Sequence, residues 1–193
     1  MHKKLQKYIY NYELIKENSY ELIPDGGMNL LINISSDCEF SIGEECYSLE
    51  ASKSVLLNAY ESTVLIKSNE LIIIRFKGAG ASFFFDELME TLMLEPLSPI
   101  FLQDNITQSF TKNYDEKALD SYLKNRFQPS TAQFNMMKII ELVEKECGEY
   151  RIEELLLSAN VPRRIFEKLF RLKTGLSIKT YAQLRKNVLT NAF

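Results

Sequence analysis

The chain has 193 residues, 46% of them hydrophobic and 25% charged, with a net charge of −3. This composition supports a folded protein with a buried core and excludes a disordered chain. No stretch approaches the roughly eighteen apolar residues of a membrane span, and the basic N-terminus lacks the apolar run and cleavage site of a secretory signal. The three cysteines (Cys38, Cys46 and Cys147) have no metal-type spacing, which favours reduced thiols in a cytoplasmic protein.

Charge is distributed unevenly along the chain. Residues 151–193 contain nine Lys/Arg and three Asp/Glu, a net charge of +6, which leaves −9 for residues 1–150. Such asymmetry indicates two separate tasks, and the basic part indicates a polyanionic partner.

From about Leu5 to Lys77 the pattern predicts short β-strands. The apolar runs "MNLLINIS", "SVLLNAY", "STVLIKS" and "ELIIIRFK" are separated by turn-forming residues, among them "PDGG" and "GEE". Many short strands at this spacing favour a sandwich or a small barrel.

After "GAG" at residues 78–80 the apolar period becomes helical. "ASFFFDELMETLML" predicts a helix with Phe84, Leu88 and Leu92 on one face, ended by "EPLSPIFL". A looser helical pattern covers about residues 107–127. The segment 131–148 then predicts one helix ending at Gly148. Its expected inward residues are Phe134, Met136, Met137, Ile139, Ile140, Leu142 and Val143.

Residues 150–175 predict two helices joined by a tight turn. Ile152, Leu155 and Leu156 form the inward face of the first helix. In the turn 158–162, Asn160 tolerates a left-handed backbone and Pro162 suits the start of a helix. This arrangement is typical of a helix–turn–helix. The inward residues expected for the second helix are Ile165, Phe166, Leu169, Phe170 and Leu172.

The outward face of the second helix is mainly basic. We expect Arg163, Arg164, Glu167 and Lys168 to meet base edges in a major groove, and Arg171 to reach a phosphate. A charged face of an amphipathic helix that is only solvated is the alternative. The turn and the local charge favour DNA.

A third helix is expected after Gly175, which ends the second. Its pattern places Tyr181, Leu184 and Val188 inward, and Arg185 and Lys186 outward.

The segment "IEELLLSANVPRRIFEKLFRLKTGLSIKTYAQLRK" resembles the first half of the DNA-binding domain of AraC/XylS-type bacterial regulators. The resemblance rests on "RIFEKLF", Thr174-Gly175 and Tyr181, in order and spacing. Two positions depart from it: Leu156 replaces a small residue, and Pro162 replaces a capping serine. Family members usually carry two helix–turn–helix units, and we expect only the first in this sequence. We therefore expect either a fragment of a longer regulator or a truncated reading frame.

The N-terminal part resembles the cupin-type sensor domain of one branch of these regulators. The shared features are a Pro-Asp-Gly turn before a strand and "RFKG" before a helix, within residues 21–104. The resemblance implies an α+β protein in which a cupin-like β-barrel with helices (residues 1–128) senses or dimerises. A linker helix and an all-α helix–turn–helix segment (residues 129–193) follow.

Enzymatic chemistry has little support in the sequence. The only histidine is His2, which argues against a histidine-based metal site and against catalytic triads. "KGAGAS" lacks the full phosphate-loop pattern, and the adjacent Glu44 and Glu45 belong to a predicted hairpin tip. We therefore predict no enzyme, no catalytic or metal-binding residues and no cofactor.

Taken with the resemblance, these features predict a DNA-binding regulator of the AraC type. Its expected partners are double-stranded DNA, a second copy of the chain and an unidentified small-molecule effector. The alternative is a truncated regulator that acts as a ligand-binding or dimerisation module and cannot bind DNA specifically by itself.

Overall fold

The N-terminal part of the protein is built from antiparallel β-strands. In the computed structural model, the described residues are 1–58, 63–89, 91, 98–103, 114–145 and 162–191. The strands are β1 (Ile9–Ile15), β2 (Tyr20–Leu22), β3 (Asn29–Asn33), β4 (Cys38–Ile42), β5 (Glu45–Leu49), β6 (Ser54–Leu57), β7 (Val64–Lys67), β8 (Leu71–Phe76) and β9 (Ile100–Leu102).

These strands form two sheets. Sheet 1 has the order β1-β8-β3-β6-β9, and sheet 2 has the order β2-β7-β4-β5. No ladder within the described ranges joins an edge of one sheet to an edge of the other, so the expected closed barrel is wrong. The strands instead pair in two separate groups whose apolar faces pack on each other, as in a sandwich.

Sheet 1 lies between two hydrophobic layers. Leu71 and Ile73 of β8 pack towards sheet 2, whereas Ile72 and Ile74 pack towards the helices. A strand buried on both faces needs apolar residues at consecutive positions, which is why "LIII" is uninterrupted. The runs that predicted β3, β6, β7 and β8 are confirmed.

The helices cover the other face of sheet 1. Where a long helix was expected from residue 81, the described residues form a 3₁₀ turn (Gly78–Ala81), a short helix and a second 3₁₀ turn (Asp86–Leu88), and Leu92 lies outside them. β9 occupies a segment that the sequence suggested only as a break. The helices are α1 (Ser82–Phe85), α2 (Glu116–Arg126), α3 (Thr131–Lys145), α4 (Arg163–Thr174) and α5 (Ile178–Asn191).

Helix α3 begins at a reciprocal capping arrangement that the sequence analysis missed. Ser130 N–H donates to Gln133 Oε1 at 2.7 Å, and Gln133 N–H donates to Ser130 Oγ at 3.3 Å. The buried face of α3 includes most of the residues expected there. Phe134 and Leu142 are exceptions, 43% and 38% exposed, because they lie outside the sector that faces sheet 1.

The predicted first helix of the helix–turn–helix and its turn (residues 152–161) lie outside the described residues, as does Gly148. The second and third helices are present as α4 and α5. Gly175 ends α4 with φ +78°, the left-handed C-cap that glycine adopts without strain. Buried residues of α4 and α5 belong to the same hydrophobic cluster as sheet 1. The division at residues 128/129 stays a prediction.

Candidate DNA-binding surface

Helix α4 has one buried and one exposed face. Phe166, Phe170 and Thr174 are buried at four-residue spacing. The five residues proposed to contact DNA lie on the exposed side of the helix, as their spacing required. They are Arg163, Arg164, Glu167, Lys168 and Arg171.

The charges on this face are not equivalent. Arg163 Nε lies 2.9 Å from Glu167 Oε1, one helical turn away, with both side chains largely exposed. An exposed pair of this kind contributes about 0.3–0.5 kcal/mol, so either partner can turn to a ligand at little cost. Arg164, Lys168 and Arg171 follow one another at steps of four and three residues, forming a continuous basic stripe.

The N-terminus of α4 also favours an anion. Pro162 is its N-cap and provides no side-chain hydrogen bond, as expected from the replaced serine. No acidic residue lies in the first turn. Backbone N–H groups at a helix start attract phosphate, so the helix end and the basic stripe favour the same kind of partner.

Ile165 was expected to point inward and is 53% exposed, so that prediction is wrong. Phe166 and Phe170 define the buried direction, and Ile165 is rotated about 100° from its neighbour Phe166 around the helix. Leu169 and Leu172 are partly buried at the border of the two faces. An apolar residue therefore borders the basic stripe.

The buried side of α4 is held by aromatic contacts and by an ion pair. Phe170 meets the ring of Tyr181 edge-on at 5.6 Å between centroids, and Phe166 lies 6.1 Å from Phe170. Lys173 Nζ pairs with Asp86, which follows α1. These contacts join α4 to α5 and to the N-terminal part of the chain.

Arg185 was expected to point outward, and this is wrong: it is only 6% exposed. It lies one helical turn after Tyr181, on the same face of α5. Its Nη1 donates to the carbonyl oxygen of Asp25 at 3.1 Å, its Nε lies 3.4 Å from Glu144 Oε1, and its guanidinium sits 4.9 Å from the centre of the Tyr10 ring. Tyr181 is fully buried, as expected.

Burial and charge shift the titration of this buried group of side chains. Burial raises the pKa of Tyr10 and of Tyr181 well above the usual tyrosine value, so both phenols stay protonated and act as donors. Burial lowers the pKa of Arg185, but its interactions with the groups around it, the Glu144 carboxylate among them, outweigh burial and the net pKa is raised.

A second polar cluster ties the two sheets together. Glu13 on β1 accepts hydrogen bonds from Tyr20 of β2 at 2.7 Å, from Asn11 at 2.7 Å and from Arg75 at 3.3 Å. Burial raises the pKa of Glu13, but the bond from Tyr20 and the charge of Arg75 outweigh it, and the net pKa is lowered. Strand periodicity gives no signal for such a cluster, because its members come from three strands.

A shallow groove of about 380 Å³ lies against sheet 2. Strands β4, β5 and β7 form it, and exposed Cys46 and Leu65 are among its lining residues.

The described part of the chain contains no cluster of three or more His, Cys, Asp or Glu side chains able to bind a metal ion. None of the helices in the described ranges combines the length and the apolar character of a membrane span.

The fold is similar to that of ToxT from Vibrio cholerae, at 12% identity and a TM-score of 0.51 over 94% of this chain and 81% of ToxT. An apo ToxT variant from strain SCE256 gives 13% identity and a TM-score of 0.52 over the same shares. The AraC-like transcriptional activator CuxR matches at 12% identity and a TM-score of 0.37 over 91% of this chain and 73% of CuxR. No protein-family model and no curated protein matches the chain. The likeness to ToxT shows that this chain shares the fold of ToxT.

Proposed function

We propose that the chain is a transcription regulator of the AraC type that binds double-stranded DNA through the exposed face of α4. The observation that carries the proposal is the division of this helix. Phe166 and Phe170 fix one side in the core, while Arg164, Lys168 and Arg171 present a basic stripe on the other. A helix held in this way suits insertion into a major groove.

Each residue of the face has a role in this proposal. Arg163 and Arg164 offer guanidinium groups to guanine, and Glu167 accepts from a cytosine amine. Lys168 also lies towards the bases, and Arg171 binds a phosphate. The pair between Arg163 and Glu167 opens when the two side chains take different partners.

One such helix makes few contacts, so binding by a single copy should be weak and sensitive to salt. A homodimer formed through the N-terminal sheets supplies two reading helices and joins two weak contacts into one tighter complex. We place this activity in the cytoplasm, and we propose no enzymatic function.

The proposal is tested by selecting duplexes from a randomised pool and measuring their affinity for the wild-type protein. The double variant Arg164→Ala/Lys168→Ala should lose most of the preference for the selected sequence. Lys138→Ala, which removes an exposed charge from α3, is the matched control and should bind like the wild type. Selection that yields no shared sequence would reject specific DNA binding.

A second candidate function is a ligand-binding or dimerisation module without specific DNA binding. The shared core of α4, α5 and sheet 1 favours it, because these helices are then part of the N-terminal unit. In that case the chain is dimeric by analytical ultracentrifugation and binds all duplexes equally. A thermal-shift screen of small metabolites tests for an effector, since a ligand that binds only the folded state raises the melting temperature.

A further inference from the structure

The side chains around Glu144 come from parts of the chain that are far apart in sequence. Glu144 Oε1, on α3, accepts hydrogen bonds from Tyr10 of β1 and, at 3.0 Å, from Tyr181 of α5. It also pairs with Arg185 of α5 at 3.4 Å. We call Tyr10, Glu144, Tyr181 and Arg185 the Glu144 cluster. One carboxylate thus connects sheet 1, α3 and α5.

The backbone of the N-terminal part is shaped to receive Tyr181. A Cβ atom built on Gly26 would lie 2.8 Å from the Tyr181 ring, and one built on Gly78 would lie 3.0 Å from its hydroxyl. Distances this short leave no room for a side chain at either position. A Cβ atom built on Gly175 would lie 1.9 Å from Oδ1 of Asn58, which follows β6. Gly26 and Gly78 at Tyr181, and Gly175 at Asn58, allow α4 and α5 to lie directly against the N-terminal part.

Helices α4 and α5 bury their apolar side chains in the core of the N-terminal part. Phe166, Phe170 and Tyr181 belong to the hydrophobic cluster that includes Ile74 and Phe76 of β8. Phe170 also meets the ring of Tyr181 edge-on, so the position of α5 contributes to the orientation of α4. In this arrangement the basic stripe of α4 remains exposed, so docking presents the stripe and does not cover it.

We propose that the Glu144 cluster is a conformational device through which the N-terminal sheet holds α4 ready for DNA and regulates its affinity. The inference rests on the proposed DNA-binding function and adds its regulation. Tyr10 is the residue through which sheet 1 takes part, and loosening its contact lets α5 detach more often. Ordering α4 again on binding then costs free energy, and DNA affinity falls.

Tyr10→Phe and Tyr12→Phe provide a matched pair for the test. Both residues lie on β1 and both pack against the helices, but the Tyr12 hydroxyl donates to Asp120 of α2 at 3.0 Å, whereas that of Tyr10 donates to Glu144. Hydrogen exchange followed by mass spectrometry reports the opening of α5. We expect Tyr10→Phe to speed exchange in α5 about fivefold, the effect of losing one hydrogen bond, and Tyr12→Phe to leave it unchanged.

The affinity for the selected duplex should fall in Tyr10→Phe, by at most the factor by which the opening of α5 increases, with an unchanged salt slope, because the phosphate contacts of α4 are retained. Glu144→Gln should act in the same direction, and Glu141→Gln, exposed on the same helix, should not. Equal exchange of α5 in the two tyrosine variants, or wild-type affinity in Tyr10→Phe, would overturn the inference. If the wild-type protein reads no sequence, the proposed function fails, whereas the exchange experiment still decides whether the cluster holds α5.

Discussion

Replacing Gly26 with alanine should destabilise the protein more than replacing Gly43. Both glycines have a positive φ, +83° and +60°, so alanine is strained at either position. A Cβ at Gly43 meets nothing within 4 Å, whereas a Cβ at Gly26 lies 2.8 Å from the ring of Tyr181. Gly43→Ala therefore measures backbone strain alone.

Left-handed backbone costs alanine about 1–2 kcal/mol, and overpacking adds about 1–3 kcal/mol. We expect Gly43→Ala to lose only the first amount and Gly26→Ala to lose both. Urea unfolding followed by far-UV circular dichroism gives the two free energies of unfolding. Equal losses for the two variants would refute the packing of Tyr181 against the Asp25-Gly26 turn, and with it the docking of α5.

Three further predictions concern charge and titration. Arg164→Ala and Lys168→Ala should each weaken binding to the selected duplex, and Arg171→Ala, which removes the proposed phosphate contact, should lower the slope of log affinity against log salt by about 0.9, measured by anisotropy at several salt concentrations. Burial raises the pKa of the Cys38 thiol to about 11. At pH 8 iodoacetamide should therefore label the exposed Cys46 before Cys38, which peptide mass spectrometry would show. Equal labelling of the two thiols would contradict the burial of Cys38. The folded-state pKa of Glu13 is lowered. Its ionised form therefore stabilises the protein above the unfolded pKa of about 4.3, and this stability is lost as the pH falls through the folded pKa. Urea unfolding between about pH 6 and 3 should show a smaller loss of stability for Glu13→Gln than for the wild type, and parallel curves would contradict this prediction.

The sequence correctly predicted those strands and helix ends that a short run of neighbouring residues determines by itself. The apolar runs of β3 and β8 are strong because these strands are buried on both faces. Gly175 ends α4 because a left-handed C-cap is a local requirement. The pairing of the nine described strands into two sheets depends on contacts between distant segments, and there the expectation of a closed barrel failed.

The candidate site shows the same limit. Spacing placed Arg164, Lys168 and Arg171 correctly on the exposed face of α4, because helical periodicity alone decides it. Arg185 was misplaced because basic residues are usually exposed, and its partners Glu144 and Asp25 come from other elements of the fold. Its spacing of four residues from Tyr181 was the signal that would have indicated a shared inward face.

The most direct test of the proposed function is a fluorescence anisotropy titration of the wild-type protein with the selected duplex and with a shuffled duplex of the same composition. The titrations are made at about 50 and 200 mM salt, where phosphate contacts weaken strongly. We expect the selected duplex to bind at least about tenfold more tightly at both salt concentrations, because base contacts survive the screening of phosphate contacts. Equal affinities for the two duplexes, falling together with salt, would contradict sequence reading by α4.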